Sequence, residues 1–168
     1  MCIRDRVTTL ISDSGVTRYR VNTEEWMMYD RKKPSYWAFE KGVYMEQFDS
    51  IFNVEASIKA DTAYYYDKER LWKLIGNVDI QNRKGERFNT ELLYWNEATQ
   101  KVYSDKFIRI QQPDRIITGH GFDSNQQMTI YTIRNIEGIF YVDEEASSGP
   151  PQPETKALPD SVNKDTAK

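Results

Sequence analysis

Apolar and polar residues alternate along much of this chain with a period of two. The pattern is cleanest at Phe52, Val54, Ala56, Ile58 and Ala60, which alternate with Asn53, Glu55, Ser57, Lys59 and Asp61. Successive side chains of an extended backbone point to opposite faces, so this run predicts a strand with one apolar and one wet face. Leu71–Ile80 repeats the pattern, with Trp72, Leu74, Gly76, Val78 and Ile80 on one face. Further strands are expected at Thr17–Val21, Tyr36–Phe39, Val43–Phe48, Tyr64–Tyr66, Phe88–Trp95, Val102–Ile110, Ile116–Phe122, Met128–Arg134 and Ile136–Val142. Turn chemistry separates them: Asp13-Ser14-Gly15, Lys41-Gly42, Asp67-Lys68-Glu69, Asn82-Arg83-Lys84-Gly85, Asn96-Glu97-Ala98-Thr99 and Pro113-Asp114. Strands this short and this evenly spaced predict an all-β sandwich, roll or barrel.

Asn22–Tyr29 fits either a short helix, from its cap and glutamates, or a strand, from its aromatics. A weak internal repeat favours the strand. Val21-Asn22-Thr23-Glu24 recurs as Phe88-Asn89-Thr90-Glu91, each followed by an aromatic-rich run, and Ala60-Asp61-Thr62-Ala63 is a looser third copy. Asp143–Lys168 holds four of the six prolines and no aromatic residue. It cannot bury enough apolar surface to offset its ordering entropy, so residues 146–168 are expected to be a disordered Pro-rich tail. Residues 1–6 read as a non-native leader, because no hydrophobic stretch precedes Cys2, and residues 7–145 as the β domain.

Composition narrows the function classes. With 168 residues, the chain fits one domain and a tail. A net charge of -3 offers no broad basic field, so nucleic acid is not an expected partner. One cysteine permits no internal disulfide and no cysteine-based zinc site. No apolar run is long enough to span a bilayer as a helix, and no signal peptide is visible. Catalytic chemistry has little to stand on. His120 is the only histidine, no Gly-x-Ser-x-Gly elbow exists, and no carboxylate pair stands out. Gly119-x-Gly121 lacks the strand-to-helix setting of a nucleotide loop. No enzyme, no metal and no cofactor is expected. What remains is the apolar faces, which are either plain core or a trough for something greasy; periodicity alone favours core.

The order of motifs favours the trough. Leu71-x-x-Leu74-x-Gly76-x-Val78, Phe88-x-Thr90-Glu91-x-Leu93-x-Trp95, Val102-x-Ser104-Asp105 and Ile117-x-Gly119-x-Gly121-Phe122-x-Ser124 with Met128 resemble the LptC family, and the stretch Tyr36–Asp61 resembles its Bacteroidetes branch. The likeness covers Val7 to Glu145. It implies an antiparallel β-jellyroll-like, partly open roll in the periplasm. An N-terminal segment missing from this chain would anchor it to the inner membrane. Such a roll receives lipopolysaccharide from an inner-membrane ABC transporter complex. It passes the lipid to an LptA-like periplasmic bridge protein, which its C-terminal strands meet edge to edge. By this likeness Phe52, Val54, Ala56, Ile58, Trp72, Leu74, Gly76, Val78, Leu93, Trp95, Ile117, Gly119, Gly121 and Phe122 would line the acyl-chain trough. The alternative is a β-sandwich binding or scaffold module with a closed core and no lipid transfer.

Overall fold

The computed structural model describes residues 2–142, so the Pro-rich segment lies outside the described residues. Eleven antiparallel strands make one sheet: β1 (Cys2–Asp13), β2 (Val16–Tyr29), β3 (Tyr36–Phe39), β4 (Val43–Phe48), β5 (Val54–Ala60), β6 (Thr62–Tyr66), β7 (Leu71–Asn82), β8 (Arg87–Asn96), β9 (Lys101–Gln111), β10 (Arg115–Asn125) and β11 (Tyr131–Tyr141). The ambiguous Asn22–Tyr29 is strand, the second half of β2. Both β3 and β4 pair with β2, and both β5 and β6 pair with β7, so each of these pairs is one long strand broken once. With the breaks bridged, the sheet is a plain meander in chain order. Its two edges, β1 and β11, are paired only to β2 and β10.

A line of irregularities crosses this meander and bends it. In β7 Gly76 and Asn77 together oppose Glu91, because Ile75 pairs with Leu92 and Val78 with Thr90. The register slips again between Thr90 and Tyr94 on β8, between His120 and Phe122 on β10, and between Thr118 and Gly119 against β11. Arg6, Gly42, Gly76, Asn77 and Gly121 all take positive φ along this line. Bulges of this kind turn a strand from one layer into another. The bend folds the sheet over itself. Tyr19 of β2 meets Trp95 of β8 with ring centroids 5.1 Å apart, although those strands are not neighbours. At the far end Asn82 donates from Nδ2 to the Met128 carbonyl at 2.8 Å.

Hydroxyl groups hold the bend together. A bulge frees backbone carbonyls that need donors. Thr90 Oγ1 donates to Phe107 O at 2.8 Å, and Ser104 Oγ to Leu92 O at 2.6 Å. Thr23 occupies the equivalent place in β2, with its Oγ1 2.8 Å from Gly42 O and 2.9 Å from Glu25 O. The internal repeat around Thr23 and Thr90 is therefore a structural repeat. Each threonine sits where its strand turns the corner and clamps the next strand across it. The backbone stitches the remainder, from Gly42 N to Asp61 O at 2.8 Å and from Asp61 N to Gly76 O at 3.0 Å.

Inside the roll lies one continuous core that includes Leu74, Val78, Ile80, Phe88, Leu93, Ile108, Ile110 and Phe122, all essentially without solvent exposure. The strand after the turn at Asp49 begins at Val54, two residues later than its periodicity predicts. The Asp49 carboxylate accepts hydrogen bonds from the backbone N–H of Ile51 and Asn53, at 3.0 and 2.8 Å. That turn carries Phe52 into positive φ and stacks its ring on Phe48 at 4.3 Å. Cys2–Arg6, read from the sequence as a leader, form the first half of β1 in register with Glu25–Met28. Met128, read as the start of a strand, is a buried turn residue with positive φ.

The clamp can be tested directly. Thr90→Val keeps shape and removes the hydroxyl, leaving the Phe107 carbonyl without its side-chain donor. It should lower unfolding free energy by about 1–2 kcal/mol in urea titration, whereas Glu91→Ala, at an exposed position beside it, should change stability by less than about 0.5 kcal/mol. Equal effects of the two changes would remove the clamp from the account of the bend.

Candidate functional site

The roll is not filled evenly. Around Phe88, Phe122 and Tyr131 the aromatic rings close on one another, with centroids 5.1 to 5.9 Å apart. Beneath β1 the packing stops short and leaves a cavity of about 350 Å³. Its floor and walls are Val21, Trp26, Trp37, Phe39, Tyr65 and Trp72, and Thr9–Ser12 of β1 form its lid. That volume lies at the lower end of the range for small-molecule sites, about 300–1,000 Å³. The lining is aromatic because β2, β3, β6 and β7 each present an aromatic residue there. Trp26 sits 5.0 Å from Trp37, Trp37 5.0 Å from Tyr65, and Tyr65 4.7 Å from Trp72. Large rigid rings in a file leave gaps between them that smaller side chains would have to fill.

Glu97 closes one end of this cavity and carries its only acidic group. Trp72 Nε1 donates to its Oε1 at 2.9 Å, and Tyr65 OH to its Oε2 at 3.3 Å. Burial, with the Glu97 charge behind it, pushes the Tyr65 hydroxyl up to about 12. Trp26 keeps its indole N–H buried with no hydrogen-bond partner among the described residues. Past Glu97 the apolar cavity meets a polar vestibule of about 460 Å³. The two share Ile11, Ser12 and Glu97.

The residues expected to line a trough separate into groups. Trp72 lines the cavity. Ala56, Ile58, Leu74, Val78, Leu93, Trp95 and Phe122 point inward but lie in the packed core, with Ile117 packed against it. Phe52 and Val54 are outside, 51% and 45% exposed, because the Asp49 turn ends the strand before it reaches them. Gly76 and Gly121 do not face the interior either. A side chain at Gly76 would meet Asp61, and one at Gly121 would meet Arg134, which binds Asp105 and Asp123 on the outer surface. In β7 the even positions stay inward on both sides and only the bulged pair Gly76 and Asn77 turns out, whereas in β10 the inward set shifts by a residue after Gly121; in both, counting in twos assigns the glycine to the wrong face. Gly119 does face inward, under Ile133, and a methyl group there would lie 2.3 Å from the Asn135 carbonyl. It permits β11 to approach. His120 is on the outer face, 2.6 Å from Glu137, with both side chains about half exposed, and lines no part of the interior cavity.

Sequence reasoning missed Val21, Trp26, Trp37, Phe39 and Tyr65 as one lining. The repeat was the available signal, since Trp26 follows the Thr23 corner as Trp95 follows the Thr90 corner. β1 was not anticipated at all.

Residues 1–141 match the family model described as LptC, lipopolysaccharide-assembly, LptC-related. No curated protein matches the chain.

The raised Tyr65 hydroxyl fixes a pH window. The folded chain holds the proton to about pH 12, whereas the unfolded chain releases it near pH 10. Its contribution to stability is therefore complete below pH 10 and declines as pH climbs from 10 to 12. Tyr65→Phe should flatten the part of that decline due to this residue, read from urea midpoints at pH 9, 10.5 and 11.5. An unchanged pH slope would mean that the hydroxyl is not held as described.

Proposed function

The chain belongs to the LptC-related family of lipopolysaccharide-assembly proteins, a non-enzymatic transport component that is periplasmic and associated with the inner membrane, and from that premise we propose a specific route for the lipid through this roll. One observation carries the reading: the aromatic cavity beneath β1, where a core of this size would otherwise be packed solid. An acyl chain of lipopolysaccharide enters between β1 and the turns at 97–100 and 126–130. It lies along Trp26, Trp37, Tyr65 and Trp72. Each methylene taken from water contributes about 0.8 kcal/mol. Trp72 keeps the role the family likeness implies. The inward residues Leu74, Val78, Leu93 and Phe122 support the cavity from the packed half rather than touching the lipid.

The same proposal assigns the two edges. β1 faces the transporter side and β11 adds edge to edge to an LptA-like bridge protein. Support comes from β11 itself: it is eleven residues long, unpaired on one side, and exposes Ile136, Phe140 and Tyr141 at 58%, 60% and 72%. A long bare edge with exposed apolar residues is a template for strand addition. No helix of the described residues is long and apolar enough to cross a bilayer.

Photo-crosslinking residues placed at Ile11 and Trp37 should label with lipopolysaccharide in membranes carrying the active transporter, while one at Phe52 should stay dark. Labelling at Phe52 with none at the cavity positions would reverse the assignment of inside and outside. For the edge, Ile136→Lys with Phe140→Lys should cut co-purification of the bridge protein by roughly ten-fold or more while the urea midpoint holds, because both positions are exposed in the isolated domain. Undiminished co-purification would move the docking surface elsewhere.

A further inference from the structure

The vestibule next to the cavity is built differently from the rest of the surface. Many charged side chains of the described residues are engaged, as Arg20 is with Glu46, Lys41 with Glu25 and Arg134 with Asp105. In the vestibule four part-buried polar side chains converge with no hydrogen bond or ion pair among the described residues: Arg18, Gln47, Gln126 and Gln127. They come from β2, β4 and the turn between β10 and β11, so separate parts of the roll bring them to one place. Arg18 brings five N–H donors in a planar fork and each glutamine amide brings two more. These part-buried donors reach solvent and are open to an acceptor that enters the vestibule.

The acidic groups around them do not neutralise this set. Glu97 is occupied by Trp72, Tyr65 and, at 3.7 Å, Arg70. Glu55 also lines the vestibule and suits a sugar hydroxyl, which donates where a phosphate cannot. Arg70 stands at the rim, and its guanidinium leans on Glu97 rather than on Arg18. An arginine with adjacent amides fits a phosphate with flanking hydroxyls, because the fork delivers paired N–H groups to two oxygens at once.

We propose that this vestibule is a headgroup site that takes the phosphorylated sugar of the glycolipid whose acyl chain occupies the cavity, with Arg18 as the phosphate ligand. The assignment rests on the lipid route proposed above, and adds to it the part of the lipid that the route leaves unplaced. The cavity and the vestibule share Ile11, Ser12 and Glu97, so one amphiphile spans both without leaving the roll. Glu97 then marks the boundary between acyl chain and headgroup. Trp72 and Tyr65 hold its carboxylate there, and Arg70 at 3.7 Å offsets part of its charge toward the vestibule.

The test uses the whole chain with two forms of lipopolysaccharide, one intact and one with its lipid phosphates removed enzymatically, and reads affinity from tryptophan fluorescence. The wild type should bind the intact form roughly ten-fold or more tightly than the dephosphorylated form, and Arg18→Ala should lose that preference while binding the dephosphorylated form like the wild type. Arg18→Lys should recover only part of it, since an ammonium offers no fork. A preference that survives in Arg18→Ala overturns the headgroup site and leaves the acyl route standing. A wild type that takes up neither form overturns the acyl route, and this site with it. Inorganic phosphate should not displace the lipid at millimolar concentration; displacement there would make Arg18 a free-phosphate site and overturn the headgroup assignment.

Discussion

The structure depends on one requirement: the sheet must turn a corner along its whole width without leaving backbone carbonyls bare. A flat meander of these strands would expose one apolar face to water. Bending it buries that face on itself, but every strand that bends breaks its ladder where it turns. The solution is local and repeated. Thr23, Thr90 and Ser104 carry hydroxyls to carbonyls at the corner, while Gly42, Asp61 and Gly76 carry the backbone ladder through it. Gly76 and Gly121 supply the positive φ that a side chain would strain. Arg134 then ties the outer side of the corner together through Ser104, Asp105 and Asp123.

From the corner follows the uneven interior. Strands β7 to β10 are paired on both sides and meet across the fold, so Ile80, Phe88, Ile110 and Phe122 interdigitate to full burial. The other flank ends at β1, which has one neighbour and lies over a file of indole and phenol rings. Trp26, Trp37, Tyr65 and Trp72 tilt against their neighbours at 34 to 57°, only Phe39 and Trp72 stack closely at 25°, and the spaces between the tilted rings stay open. The cavity is therefore a property of the flank and its aromatic lining, and the tightly packed flank supplies the stability that lets it remain.

Much of this architecture was legible before the structure. Alternation located nearly every strand from β3 to β10, since a sheet buried on one face leaves its period in the sequence. The short repeat around Thr23 and Thr90 was worth more than its length implied, because a corner demands the same hydroxyl wherever it falls. What stayed hidden has three physical sources. A side-chain cap at Asp49 turned Phe52 away from a face that its spacing matched. The bulge at Gly76 turned that residue out of a face whose neighbours keep their parity, and the bulge at Gly121 changed the parity itself. Periodicity, finally, reports that Trp26, Trp37 and Trp72 leave water; it carries no information on whether they meet neighbours or surround a space. Candidate lining residues taken from the apolar faces and the family likeness thus divide, most in the packed half, Trp72 at the cavity, and Phe52, Val54, Gly76 and Gly121 turned outward.

On the proposed lipid route, the roll needs an entrance that opens more easily than its core. This sheet meets that demand through placement. Removing β1 from its lid position breaks hydrogen bonds along one edge only, since its other edge is bare. The residues it would uncover include Trp26, which also pairs with Arg4 of β1, and Trp37; ring contacts to β3, β6 and β7 hold both from the other side. The clamps at Thr90 and Ser104 join β8 to β9, apart from β1, whereas the Thr23 corner of β2 pairs with β1 at Val7. The β8–β9 clamps and the proposed entrance thus sit on different strands. On the proposed lipid route, that separation keeps the clamped flank folded while a lipid enters and leaves.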